Sequence, residues 1–181
     1  MNNKAVFLDR DGVINEDLAY VNKIEDFKFI DGVFDACRYF KQLGYRLIIV
    51  TNQSGIGRGY YSEPEFAALT DWMKSQFVDN DCEIDAVYFC PHHPEKAVAP
   101  YLLQCECRKP APGMLLRGIK DFDLLPSACV MIGDKPSDIA AAQAAGVGRK
   151  ILLSPKQLLS ADKTAGADEI WQSLACGLDR F

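Results

Sequence analysis

The stretch Val6-Phe7-Leu8-Asp9-Arg10-Asp11-Gly12-Val13-Ile14-Asn15 constrains this chain more than any other, because an apolar run breaks off abruptly at two carboxylates. A short apolar run bounded by polar residues reads as a buried strand of a parallel sheet. Side chains alternate along a strand, so Asp9 and Asp11 can both point at one spot beyond its carboxyl end. In open α/β sheets that is where ligands bind. Two like charges so close repel unless a cation lies between them, and Mg²⁺ is a hard ion that takes carboxylate and phosphate oxygens together. The pair implies a metal and a phosphate. Taken in isolation, a solvated turn bearing two acidic residues would look the same.

The rest of the chain alternates strands with helices. From Asp31, apolar residues Val33, Phe34, Cys37, Phe40 and Leu43 recur at helical spacing, and Gly44 stops the run. Arg46 to Val50 reads as a second strand, followed by Thr51-Asn52-Gln53-Ser54-Gly55, whose small hydrogen-bonding side chains and glycine suit close approach of backbone to a phosphate. Ser62-Glu63-Pro64-Glu65 has the form of a capping box and opens a helix through Phe66, Leu69, Trp72, Met73 and Phe77. Glu83 to Phe89 is a third predicted strand, Pro112 opens a helix, and Ala128 to Ile132 is a fourth strand. A helix starting near Ser137 is closed by Gly146, and Lys150 to Leu153 is a further strand. Such alternation predicts right-handed βαβ units, a Rossmann-like parallel sheet with helices on both faces. The tail from Ser154 is weakly patterned. No insertion is long enough for a large cap domain, so an open site is expected.

Between the third strand and the next helix, Cys90 to Cys107 has no periodicity and holds both histidines of the protein. Loops longer than about 15 residues are uncommon unless functional or tied down. Cys90-x-His92, twelve residues, then Cys105-x-Cys107 offers three thiolates and an imidazole, a closed tetrahedral Zn²⁺ set with no open position for chemistry. The zinc is therefore structural. It folds the loop and places Arg108-Lys109 directly after the last ligand, with ordinary reduced cysteines as the bland reading.

Asp9-x-Asp11-Gly12, Thr51-Asn52, Lys109 before Pro110, and Gly133-Asp134-x-x-x-Asp138 resemble the four motifs of the haloacid dehalogenase superfamily, in order and across most of the chain. Within it, Phe7-Leu8-Asp9-Arg10-Asp11-Gly12, Thr51 to Gly55, Cys90-Pro91-His92-His93-Pro94, Cys105 to Pro110 and Gly133-Asp134-Lys135 resemble the D-glycero-D-manno-heptose 1,7-bisphosphate 7-phosphatase family. The resemblance implies that Asp9 attacks phosphorus and that Asp11 protonates the leaving oxygen and then activates water. Mg²⁺ would be held by Asp9, the backbone carbonyl of Asp11, and Asp134. Thr51 and Lys109 would bind the transferring phosphoryl group, with Asp138 left to orient Lys109 or a metal-bound water. The irregular segment Asp17-Leu18-Ala19-Tyr20 is assigned to substrate contact, as are Arg10, Asn52, Gln53, Ser54, Arg108 and Lys135. For the zinc, the family favours His92 over its neighbour His93. Histidinol-phosphate phosphatases, similar relatives with a zinc loop, are the alternative activity, and a zinc-stabilised binding module without catalysis is the alternative class.

Length and composition fit these expectations. The 181 residues suffice for one domain with a sizeable core, and 49% hydrophobic with 25% charged residues is ordinary for a soluble protein. No apolar run approaches the roughly 18 residues of a membrane span, and Met1 to Lys4 leads straight into a strand, so a cytoplasmic protein without a membrane partner is expected. Seven cysteines is an odd number for a disulfide framework and points to metal. A formal net charge of −5 disfavours nucleic acid as partner and requires local cations to draw an anionic substrate. The expectation is a monomer acting on a small sugar bisphosphate.

Overall fold

The computed structural model describes residues 3–154 and 166–181. Six parallel strands form one sheet in the order β3-β2-β1-β4-β5-β6: β1 Ala5–Leu8, β2 Arg46–Asn52, β3 Ala86–Cys90, β4 Val130–Gly133, β5 Arg149–Leu153 and β6 Glu169–Trp171. Helices α1 (Val33–Gln42) and α3 (Glu63–Asp79) bury Phe40, Leu69, Met73 and Phe77 against one face with Val6, Leu8, Leu47 and Ile49. Helices α4 (Gly113–Asp121) and α5 (Pro136–Ala144) bury Met114, Leu115, Ala141 and Ala142 against the other, with Phe7, Ile48, Val50 and Met131. Neighbouring strand residues thus feed opposite clusters, which is why the strands read as unbroken apolar runs.

The chain winds outward from β1 to β2 and β3, then returns to lay β4 on the other side of β1. That reversal is the topological switch point, and it separates the loops after β1 and β4 into a crevice. Leu8 pairs with Ile49 and with Ile132, so Asp9 leaves the sheet between β4, which ends one residue later, and β2, which runs on to Asn52. The capping box is formed as expected: Ser62 accepts from Glu65 N while Glu65 accepts from Ser62 N, which fixes the start of α3.

Several boundaries differ from the sequence reading. β2 runs two residues further, through Thr51 and Asn52, so both sit on the sheet itself and not on the loop after it. β3 begins at Ala86, because the Asp85 carboxylate turns back to accept from Lys41 Nζ, Arg46 Nη1 and Leu47 N. Its last residue is Cys90, which anchors the first expected zinc ligand to the sheet. Pro126 to Ala128 makes a 3₁₀ turn, which delays β4 to Val130. The tail holds β6, whose Trp171 is buried and meets Phe181 edge-to-face at 5.8 Å; three residues are too few to show an alternation. A short helix, α2 (Ser54–Gly57), follows β2. Among the described residues there is no cap domain and no helix long and apolar enough to cross a membrane.

Candidate active site

Asp9 follows β1 directly, and its N–H still donates to Ile132 O at 3.1 Å, so its position is set by the sheet. The side chain is buried. Oδ1 accepts from Arg10 N at 2.8 Å and pairs with Lys109 Nζ at 3.0 Å. Lys109 arrives from the far end of the Cys90–Cys107 loop and is clamped to β2 by an amide exchange. Its N–H donates to Asn52 Oδ1 at 3.0 Å and its carbonyl accepts from Asn52 Nδ2 at 3.1 Å. Its ammonium also reaches Asp138 Oδ1 at 2.6 Å and Val50 O at 2.8 Å. All three donors of the ammonium are thereby used.

Carboxylate oxygens of Asp9, Asp134 and Asp138 lie within 4.8 Å of one another. Asp134 packs over Gly12, where a Cβ would come 2.3 Å from Asp134 Oδ2 at a φ of +88°, so both the space and the backbone there require glycine. Three carboxylates against one buried ammonium leave a surplus of negative charge. Burial pushes the Asp9 carboxyl up to about 7, with Lys109 opposing and Asp138 and Asp134 adding to the rise. Burial likewise pushes Asp134 up to about 6. Burial opposes the charge on Lys109, but Asp9 and Asp138 outweigh it and hold the ammonium above its ordinary range. Asp134 Oδ1 is buried with no hydrogen-bond partner among the described residues. An unpartnered carboxylate oxygen beside Asp9 fits a divalent cation bound to oxygen. Asp138 belongs to the cluster geometrically, but Lys109 and the Lys135 N–H, at 3.0 Å, already occupy its oxygens.

Asp11 points elsewhere. Its carboxylate accepts from Arg10 Nε and Nη2 at 3.2 and 2.8 Å, from Asn15 Nδ2 at 3.0 Å, and from Gln53 Nε2 at 3.1 Å. Its side chain therefore lies outside the acidic cluster. Arg10 is buried, gives its remaining bond to Val21 O at 2.8 Å and lies over Phe27 and Phe66. It braces Asp11 from inside and does not line the cleft.

Above these groups is a cleft of about 540 Å³. Of the expected contacts, Asp11, Asp17, Ala19 and Tyr20 line it on one side, Asn52, Gln53 and Ser54 on another, and Arg108, Lys109 and Lys135 on a third. Asp9 and Thr51 lie buried beneath, while Leu18 is half exposed outside. Asp17 Oδ2 pairs with Lys135 Nζ at 3.1 Å across the rim, and Ala19 and Tyr20 take left-handed φ values of 58° and 57°. Pro110, read in the sequence only as part of a motif, also lines the cleft, as do Tyr61 and Ser137, which carry no sequence signal that would have selected them.

The loop cysteines converge. Cys90 Sγ, Cys105 Sγ, Cys107 Sγ and His92 Nδ1 lie within 4.8 Å of one another, and all pairs but Cys105–His92 are separated by 3.0 to 3.7 Å, as along the edges of a small tetrahedron. Burial pushes the Cys90 thiol above its ordinary range, so a thiolate there needs a cation among the sulfurs. His93 Nδ1 instead accepts from the N–H groups of Glu95 and Lys96, which leaves His92 as the imidazole of the set. Arg108 Nη1 donates to His92 O at 3.2 Å and ties the cleft to this cluster.

A buried aspartate at the switch point, paired with a lysine and ringed by carboxylates, is the arrangement of a phosphoryl-transfer hydrolase. Residues 3–146 match the haloacid dehalogenase-like hydrolase family, to which this chain belongs. Among its members it groups with the heptose 1,7-bisphosphate 7-phosphatases. It is 48% identical, over 94% of its length and 91% of the relative's, to D-glycero-β-D-manno-heptose-1,7-bisphosphate 7-phosphatase of Yersinia pestis. To the D-glycero-α-D-manno-heptose-1,7-bisphosphate 7-phosphatase of Burkholderia mallei it is 54% identical, over 84% and 81%. The crystal structure of D,D-heptose 1,7-bisphosphate phosphatase from B. bronchiseptica, complexed with magnesium and phosphate, superposes with a TM-score of 0.81. The identity is 27%, and the match covers 98% of this chain and 97% of that one.

Proposed function

We propose that this chain, one domain over residues 1–181, is a Mg²⁺-dependent phosphatase that removes the 7-phosphate of D-glycero-D-manno-heptose 1,7-bisphosphate. The observation that carries the reading is the buried Asp9 carboxylate, whose two donors both fall on Oδ1 and leave Oδ2 without a donor among the described residues. Asp9 attacks phosphorus as the bond from phosphorus to the sugar oxygen breaks, and Asp11 gives that oxygen a proton. Asp11 then takes a proton from water as the water attacks the aspartyl-phosphate, which releases phosphate and restores Asp9. Thr51 and Lys109 hold phosphoryl oxygens while charge shifts among them. Mg²⁺, held by Asp9, Asp134 and the Asp11 carbonyl, supplies screening of the phosphoryl charge. Zn²⁺ on Cys90, His92, Cys105 and Cys107 supplies folding energy to the loop that delivers Arg108 and Lys109.

The enzyme works in the cytoplasm on a soluble sugar, in the supply of heptose precursors for lipopolysaccharide. It acts as a monomer. Phosphate release from a panel of phosphomonoesters with Mg²⁺ tests the proposal. The heptose bisphosphate is expected to give the highest kcat/KM. Better turnover of histidinol phosphate would assign that substrate instead, and no release from any ester, an aryl phosphate included, would leave only a zinc-stabilised binding module.

A further inference from the structure

Tyr61 is 5% exposed, and its ring is seated on α2: a Cβ on Gly55 would lie 2.3 Å from Tyr61 Cε1. Its hydroxyl donates to Gln53 Oε1 at 2.5 Å. The amide nitrogen of the same side chain donates to Thr51 Oγ1 at 2.8 Å and to Asp11 Oδ2 at 3.1 Å. These three bonds define one orientation of the amide. Turned over, Gln53 would aim its oxygen at the Asp11 carboxylate, acceptor against acceptor, and leave Thr51 without its donor. Burial pushes the Tyr61 phenol up to about 12, so the hydroxyl keeps its proton and stays a donor.

We propose that Tyr61 is a positioning residue for the phosphatase reaction: by donating to Gln53 Oε1 it fixes the amide that holds the Asp11 carboxylate and the Thr51 hydroxyl together. Because Thr51 Oγ1 accepts from Gln53, its own proton is free for a phosphoryl oxygen. Because Asp11 Oδ2 is pinned, the carboxyl stays where the leaving oxygen departs. Arg10 and Asn15 brace Asp11 from the interior, and Gln53 is its donor from the cleft side.

The inference rests on the phosphatase reading above, and its test separates the two. A sugar alkoxide needs the proton from Asp11 in order to leave, whereas p-nitrophenolate does not. In Tyr61→Phe, which keeps the ring and its packing, kcat/KM for a sugar monophosphate is expected to fall about tenfold, and for p-nitrophenyl phosphate no more than about threefold. In a Gln53→Ala background the same substitution is expected to add less than twofold, since the amide through which it acts is gone. Losses on the two esters within twofold of each other, or an additive double variant, would each overturn the positioning role while leaving the phosphatase reading intact. A wild-type protein inactive on both esters with Mg²⁺ would overturn both.

Discussion

Lys109 Nζ sits 3.0 Å from Asp9 Oδ1, with both side chains buried, and this pair leaves Oδ2 as the Asp9 oxygen without a donor among the described residues. A buried ammonium stabilises a buried carboxylate only when the remaining bonds of both are met. Lys109 meets its own through Asp138 Oδ1 and Val50 O, whereas Asp9 has Arg10 N on the same Oδ1 and no donor on Oδ2 among the described residues. The lysine serves twice, as the counter-charge that keeps Asp9 ready to ionise and as a cation at the floor of the cleft.

Asp9→Asn keeps the shape of the nucleophile and a hydrogen-bonding Oδ1 but removes the attacking charge. Turnover is expected to fall below about 1% of wild type with little change in Tm, since Lys109 retains Asp138. Steady-state phosphate release beside a thermal melt checks both halves. Activity above a few per cent would rule out attack by Asp9.

The raised carboxyls make a prediction about metal and pH. Asp9 near 7 and Asp134 near 6 stand above their ordinary value of 3.8, so the metal-free fold binds protons more tightly than the unfolded chain. That contribution is complete below about pH 4 and is lost as pH rises through about 6 to 7. Mg²⁺ requires the ionised forms and gains where the protons leave. The rise in Tm on adding Mg²⁺ is therefore expected to be several-fold larger at pH 7.5 than at pH 5.5, and to shrink at both in Asp134→Asn. Equal rises at the two pH values would remove these carboxylates from the metal site.

Much of this site could be read in the sequence because its chemistry sits at strand ends. Asp9, Thr51 and Asp134 each follow an apolar run, and the Cys-x-His and Cys-x-Cys pairs carry their ligand spacing locally. What could not be read depends on contacts between distant segments. Lys109 reaches Asp138 across α4 and β4, a pair that no local spacing announces and that only the family resemblance offers, as one of two partners for Asp138. Arg10 lies between two aspartates, where a substrate cation would also stand, yet Val21 O and two aromatic rings draw it inward. Tyr61 carries no pattern at all, since its role is set by an amide eight residues earlier.

The cysteine cluster predicts about one Zn²⁺ per chain in protein purified without chelator. Cys105→Ser removes one thiolate from a set whose free energy of binding is also free energy of folding. Zinc content by elemental analysis and Tm are expected to fall together, Tm by about 10 °C or more, and activity should follow as Lys109 loses its support. A variant that lost zinc but kept both Tm and activity would show that the loop is held by other contacts.

The last prediction concerns the second phosphate of the substrate. A bisphosphate places one phosphoryl group over Asp9 and presents another some distance away, which in a chain of net charge −5 requires a dedicated cation. Arg108 lines the cleft beside Lys109, and its Nη1 is tied to His92 O, so the cysteine loop sets its direction. A guanidinium fork matches phosphate oxygens in a way that an ammonium does not. Arg58 is the competing candidate. It stands over Tyr20 at 5.6 Å but does not itself line the cleft. A charged hydrogen bond contributes roughly 1.5–3 kcal/mol, so Arg108→Ala is expected to lower kcat/KM for the heptose 1,7-bisphosphate by about tenfold to a hundredfold. A sugar monophosphate lacking the second group should lose less than about twofold, and Arg58→Ala should change neither substrate by more than that. Equal losses on the two substrates in Arg108→Ala would place this arginine on the reacting phosphoryl group or in the fold, and a selective loss in Arg58→Ala would move the second phosphate to the Tyr20 side of the cleft.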